Sequence, residues 1–431
     1  MNNRVLKIET IDFSENGKQI DYGYSYSKPI SKFFKSNERF FATYDENVSL
    51  VPLSIAVIPF LGNILPISWF AGFDIHVESL DSDFYQGILQ IKEKYETYYP
   101  QLKKRKSTLV VQNIVENKST GTGTGLLFSG GVDAYTTFLR HMDETPDLIT
   151  ILGADVEIDD HKQWDIIKSF NEKETLLSEN RKRYASANMR TFYTHHVDFL
   201  LPNLGWWGKV QYGMALTCMA APLSYIHGYE KVYIASTRSV HMEFLPWGSM
   251  PETDNLIRWA GANVIHDAYE LSRFEKTEYI VKTLNNLQKE ASVRVCYSEA
   301  NDGLNCSKCE KCLRTIFNIM LLGDNPRSYG FKADEKVYAK LKAVIKNGFR
   351  TSGVLNYWTE LLEKGRETQS IFYFENQEQE TREFNEVLRT ISNSCDIGVV
   401  KPSKWAVIKF KLINRNRKLF NYYLSVRRKF N

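Results

Sequence analysis

Two common nucleotide-binding signatures are missing from this 431-residue chain. It has no Gly-x-x-x-x-Gly-Lys-Ser/Thr loop, which excludes a Walker-type phosphate site. It also has no Gly-x-Gly-x-x-Gly, which excludes the usual dinucleotide fingerprint. Any phosphate site in this protein must therefore be built from a different loop.

Cysteine is scarce, with six residues in the chain, and long apolar runs are few. The chain begins Met1-Asn2-Asn3-Arg4 without an apolar signal segment, so we expect a cytoplasmic protein without disulfides. Residues 208–228 are mostly apolar but contain Gln211 and Pro222, which favours a buried core helix over a membrane span.

An apolar run leads into a Ser-Gly-Gly-x-Asp turn at residues 129–133 and then into a helix-like segment. Gly130 and Gly131 let the backbone approach an anion closely, and the first N–H groups of the following helix supply donors and a positive dipole end. Asp133 is suited to Mg²⁺ that bridges phosphate oxygens. The alternative is an ordinary strand-turn-helix whose glycines only satisfy turn geometry.

Four of the six cysteines, Cys296, Cys306, Cys309 and Cys312, fall within seventeen residues with the spacing C-x₉-C-x₂-C-x₂-C. Two-residue gaps let neighbouring thiolates converge on one ion, so the spacing predicts a zinc site. An iron–sulfur cluster is the main alternative. Disulfides are disfavoured by the expected compartment.

Together the two motifs resemble the PP-loop ATP pyrophosphatases, specifically the 7-cyano-7-deazaguanine synthase (QueC) family, over roughly residues 120–325. The resemblance implies ATP and Mg²⁺ as cofactors, a structural Zn²⁺, and adenylation of a carboxylate before an amine or ammonia displaces AMP. It also implies that Ser129, Gly130, Gly131 and Asp133 bind ATP and that the four cysteines hold the zinc.

The chain departs from that family in two ways. It is about twice as long, and Ala134 stands where many relatives carry a serine. The substrate thus stays open: a deazaguanine-like acid, a sugar acid or a protein carboxylate, in a defence or modification pathway.

Between the motifs the pattern predicts an α/β nucleotide-binding domain with a parallel sheet. Strands are predicted at 148–152, 191–194, 231–235 and 264–267. Ligands in such sheets lie beyond the carboxyl ends of the strands, which nominates Asp155 and Ser236 as nucleotide-binding residues. Arg273 and Lys276, three apart on one helix face, are predicted to neutralise the triphosphate or the leaving pyrophosphate, the alternative being a solvated charged face.

The flanking regions carry no recognisable catalytic motif. Residues 1–118 are predicted to form a β-rich accessory domain, with strands around 20–27, 39–44 and 54–60, for substrate selection or for docking of a partner or a second copy. The catalytic domain would span 119–325, and 326–431 would be helical. Residues 401–431 carry ten Lys and Arg and no Asp or Glu; since the whole chain is +4, residues 1–400 have a net charge of −6. The basic segment is predicted to contact nucleic acid, an anionic membrane surface or the acidic body.

Two further functions stay open. PP-loop enzymes also thiolate RNA, which here would need Cys218 or Cys395 as a sulfur carrier. A non-catalytic, nucleotide-sensing zinc scaffold is the other alternative.

Overall fold

The computed structural model describes residues 3–201, 205–296 and 304–400. The basic segment 401–431 lies outside the described residues. Within them the protein is α/β: one large, mostly parallel sheet with helices on both faces. No helix in these ranges combines the length and the apolar character that crossing a membrane would need.

The sheet has eleven strands. They are β1 (Val5–Ser14), β2 (Gln19–Tyr26), β3 (Phe41–Tyr44), β4 (Asp74–Asp81), β5 (Leu109–Val115), β6 (Gly123–Leu127), β7 (Asp147–Leu152), β8 (Lys182–Ala187), β9 (Tyr229–Ala235), β10 (Arg258–Trp259) and β11 (Ala262–Asp267). Their spatial order is β10-β11-β9-β6-β7-β8-β3-β2-β1-β4-β5. The run β11-β9-β6-β7-β8 is parallel throughout, so the carboxyl ends of these strands share one edge of the sheet.

The helices of the described residues surround this sheet. They are α1 (Leu53–Ala56), α2 (Ile58–Ala71), α3 (Ser82–Tyr98), α4 (Val132–Arg140), α5 (His161–Lys173), α6 (Tyr212–Met219), α7 (Ala221–His227), α8 (Pro251–Asp254), α9 (Arg273–Leu287), α10 (Glu310–Leu321), α11 (Val337–Ile345), α12 (Ser352–Glu367) and α13 (Gln377–Ile397). One turn of π-helix, Trp207–Gln211, precedes α6.

Strands from both sides of residue 118 belong to this one sheet. β3 pairs antiparallel with β8, through Ala42 opposite Ala187, and so joins the N-terminal strands to the parallel run. The first hydrophobic core likewise draws on residues 6–102 and on α6 and α7. The predicted domain boundaries at 118 and 325 stay predictions, but the N-terminal residues extend the central sheet.

Two strand predictions are wrong. Residues 54–60 are helical, in α1 and α2, because α2 is apolar on all sides and fully buried, and a short apolar run does not distinguish a strand from a buried helix. Residues 191–194 form a turn with a single bridge from Tyr193 to Phe34, while the strand is β8, ten residues earlier. The strands predicted at 148–152, 231–235 and 264–267 are confirmed as β7, β9 and β11.

Candidate functional site

The glycine turn connects β6 to α4 at the carboxyl edge of the sheet. Gly130 has φ +73°, a conformation that favours glycine, and a Cβ there would lie 3.2 Å from the Phe170 ring. The Ser129 hydroxyl accepts a hydrogen bond from the Gly131 N–H at 3.3 Å. Gly131 is the N-cap of α4, so the helix N-terminus opens directly onto the loop.

Asp133, in the first turn of α4, meets two cations from the start of α9. Its Oδ2 accepts a hydrogen bond from Arg273 Nη2 at 2.8 Å, and its Oδ1 lies 3.4 Å from Lys276 Nζ. Burial alone would raise the pKa of this carboxyl, but the two cations outweigh it and hold the pKa below its ordinary value. Asp133 is therefore ionised at neutral pH, with its side chain only 16% exposed.

A capping box explains why α9 presents these cations. Ser272 accepts from the Glu275 N–H at 3.2 Å, and the Glu275 carboxylate accepts from the Ser272 N–H at 2.7 Å, which fixes the start of the helix. Arg273 and Lys276 then stand one turn apart on the side facing α4. Lys276 is buried and donates to the Ser236 carbonyl at 2.6 Å, so it links Asp133 to the end of β9.

Arg294, two residues before Cys296, supports the backbone of the glycine turn through two hydrogen bonds. Its backbone N–H donates to the Gly130 carbonyl at 2.6 Å, and its Nε donates to the Ser129 carbonyl at 2.9 Å. The segment that leads to Cys296 is thus hydrogen-bonded to the backbone of the glycine turn.

Two more cations reach the site from α10. Arg314 is buried; it pairs with Glu310 at 3.1 Å, and its Nη1 is buried without a hydrogen-bond partner among the described residues. Burial, reinforced by Arg273 and Arg314, lowers the pKa of Lys311 to about 7. Burial also lowers the pKa of Arg314, and Glu310 offsets this only in part. Arg314 is thus a buried cation whose charge Glu310 compensates only in part, as expected where an anionic ligand binds.

The four cysteines converge as their spacing predicts. Their Sγ atoms all lie within 4.8 Å of one another, with 3.9 Å between Cys296 and Cys309 and 3.8 Å between Cys306 and Cys312. Four thiolates about 2.3 Å from one tetrahedral ion are about 3.8 Å apart, so the cluster fits a single metal ion such as zinc. None of the four forms a disulfide, since the sulfur–sulfur separations are far too long for one.

The predicted site residues fall into two groups. Asp133, Arg273, Lys276 and the Ser236 carbonyl meet at one point, with the loop residues directly beside them. Asp155 lies in the exposed turn after β7 and acts electrostatically on Arg294 and Lys311.

Sequence reasoning missed four residues of this site: Arg294, Lys311, Arg314 and Tyr357. The first three had a signal, because they lie within or beside the cysteine motif and a metal knot fixes its neighbours in space. Tyr357, on α12, had none, since nothing in its local pattern distinguishes it from a core tyrosine.

Comparisons with family models, with curated proteins and with solved structures gave no match to this chain. The function of this protein must therefore be inferred from the geometry of the site and from the two motifs.

Proposed function

We propose that this protein is an ATP-dependent, AMP-forming ligase of the PP-loop type, which adenylates a carboxylate and transfers the acyl group to ammonia or an amine. The observation that carries the proposal lies at the carboxyl edge of the parallel strands. There Arg273 and Lys276 contact Asp133, the last residue of the Ser-Gly-Gly-x-Asp turn. Ligands of such sheets bind at this edge.

Uncharged N–H groups and cationic side chains would have different roles in binding the nucleotide. The loop amides and the N-terminus of α4 would receive the phosphates, because they offer N–H donors and a positive dipole end. Arg273 and Lys276 would neutralise the triphosphate and the pyrophosphate that leaves. A ligand phosphate would also compensate the incompletely paired Arg314.

Asp133 is the residue suited to hold Mg²⁺. It is ionised, and its buried Oδ1 has no hydrogen-bond partner within the described part of the chain, although Lys276 Nζ lies 3.4 Å away. When bound, Mg²⁺ would neutralise phosphate charge and orient the leaving group. The protein's own contribution is to keep Asp133 ionised beside the loop.

The four-cysteine cluster would hold zinc as structural support. Cys309 is the N-cap of α10, and Cys312 lies in its first turn, so a bound ion would fix the start of the helix that carries Lys311 and Arg314. Zinc would thus position the cationic wall of the site.

RNA thiolation is less well supported. Cys218 is fully buried, and burial raises the pKa of its thiol far above the usual range, so it is unsuited to carry sulfur. Cys395 lies on α13, and its thiol contacts the hydroxyl of Thr359 on α12.

The test is to incubate the zinc-replete protein with Mg-ATP and a panel of carboxylates that includes 7-carboxy-7-deazaguanine, and to measure AMP and pyrophosphate. We expect carboxylate-dependent AMP release that falls about a hundredfold or more in Asp133→Asn. Asp143→Asn is the matched control, because Asp143 is exposed just beyond α4. Tight ATP binding without AMP under any condition would instead favour the nucleotide-sensing scaffold.

A further inference from the structure

The C-terminal region, which the motifs do not reach, supplies one side chain to the cationic wall. Tyr357 of α12 presents its ring to two guanidinium groups, with Arg314 Cζ 4.3 Å and Arg273 Cζ 5.6 Å from the ring centroid. Its hydroxyl donates to the Thr237 carbonyl at 3.3 Å, just beyond the end of β9. One tyrosine thus contacts the groups that three separate elements bring to the site.

Other contacts fix α12 in this position. The Glu360 carboxylate accepts from Ser272 and from the Phe274 backbone, on either side of Arg273, and its burial raises its pKa. Trp358 donates from Nε1 to Glu310 Oε1 at 2.9 Å, and Glu310 is the partner of Arg314. Helix α12 therefore contacts the N-terminal ends of both α9 and α10, where the two arginines lie.

A tyrosine face suits this position for a physical reason. Two neighbouring guanidinium groups repel each other, and burial makes the repulsion stronger. An aromatic face attracts both through its quadrupole, without the negative charge that would compete with a bound phosphate. It also leaves the edge of the Arg314 guanidinium available, and the Nη1 of Arg314 is buried without a hydrogen-bond partner among the described residues.

We propose that Tyr357 is a positioning residue that holds Arg273 and Arg314 as a paired binding site for the pyrophosphate moiety of the nucleotide. The inference rests on the proposed function, because it assumes that a nucleoside triphosphate occupies the loop. The C-terminal helices would then complete the site, and α12 would strengthen binding of the β,γ-phosphates and not of the nucleoside.

The experiment compares the binding of ATP, inorganic pyrophosphate and AMP to the full-length, zinc-replete protein by titration calorimetry. Tyr357→Leu removes the ring, and Tyr357→Phe keeps the ring but removes the hydroxyl. Tyr373→Leu is the matched control, because Tyr373 packs against the same core and its hydroxyl contacts Thr381, away from the loop. Zinc content and the thermal unfolding midpoint show whether each variant is folded.

We expect Tyr357→Leu to bind ATP and pyrophosphate about tenfold more weakly, since cation–π contacts at a desolvated site are of that size. AMP affinity should change less than about twofold, Tyr357→Phe should stay within about threefold of the wild type, and Tyr373→Leu should bind all three ligands normally. A structural defect would instead weaken the binding of ATP, pyrophosphate and AMP together.

The outcomes separate the two proposals. A wild-type protein that binds neither ATP nor pyrophosphate would overturn the proposed function. A wild-type protein that binds both, with a folded Tyr357→Leu variant of unchanged pyrophosphate affinity or with equal losses for pyrophosphate and AMP, would overturn the role of Tyr357 alone.

Discussion

The two larger hydrophobic cores among the described residues bury polar groups in different ways. In the first core, between the N-terminal strands and α2, α3 and α6, several buried phenols donate to backbone carbonyls, as Tyr22 does to Ala56 at 2.7 Å and Tyr95 to Val210 at 2.6 Å. In the second core, between α4, α9, α10 and the C-terminal helices, buried arginine and lysine crowd around Asp133.

Neutral hydrogen bonds that are satisfied inside the protein stabilise the fold and leave nothing for a ligand. Buried cations with incomplete counter-charge cost stability in the unliganded protein, and a bound anion recovers that free energy. This difference supports a structural role for the first core and the proposed ligand binding at the second. Even the buried Asp254, beside the first core, is paired internally, with His266 Nδ1 at 2.8 Å.

The largest expected difference between the cores concerns the metal. Cys309→Ser should release the bound zinc and lower the free energy of unfolding by several kcal/mol, because metal binding in a structural site is coupled to folding. Cys218→Ala, in the first core, should keep one zinc per chain and lose only about 1–2 kcal/mol. Elemental analysis and denaturant unfolding measure both quantities. Full zinc occupancy in Cys309→Ser would contradict the assignment.

A smaller effect, of opposite sign in the two cores, is expected for buried polar side chains. Arg314→Met should leave the unliganded protein as stable as the wild type or stabilise it by about 1 kcal/mol, because it removes a desolvated charge whose partner Glu310 stays partly exposed and hydrogen-bonded to Trp358. The same change should abolish most of the stabilisation by ATP. Tyr95→Phe should cost about 1 kcal/mol and leave the ATP effect intact.

Thermal unfolding with and without Mg-ATP checks this pair of variants. A large loss of stability in unliganded Arg314→Met, together with a normal ATP shift, would show that Arg314 serves the fold and not a ligand.

The smallest expected effect is a pH dependence. His141 lies in a polar cluster at the end of α4, where its hydrogen bond with Asp267, helped by Glu144, outweighs burial and raises its pKa. Its contribution to stability is fully present below the unfolded pKa of about 6.5 and is lost as the pH rises through the higher folded value. The stability difference between wild type and His141→Gln should therefore shrink from pH 6 towards pH 8 in urea titrations. A difference that grows with pH would refute this assignment.

Local motifs were predictable because their geometry is local. Two-residue gaps between Cys306, Cys309 and Cys312 bring the sulfurs together almost regardless of the rest of the fold, and a glycine turn between an apolar strand and a helix forms wherever it occurs. The sequence failed at residues 54–60, where complete burial on all sides removed the periodicity that separates a helix from a strand.

The sequence by itself therefore determined the two motifs of this protein, the Ser-Gly-Gly-x-Asp turn and the four-cysteine cluster, and three of the parallel strands, β7, β9 and β11. Only the tertiary structure decided which cations face Asp133, that the N-terminal strands extend the same sheet, and that Tyr357 lies against Arg273 and Arg314. The physical reason is separation along the chain. These contacts join residues far apart in the chain, 143 positions between Asp133 and Lys276 and 145 between Ala42 and Ala187, and packing of whole elements, which no local pattern encodes, brings them together.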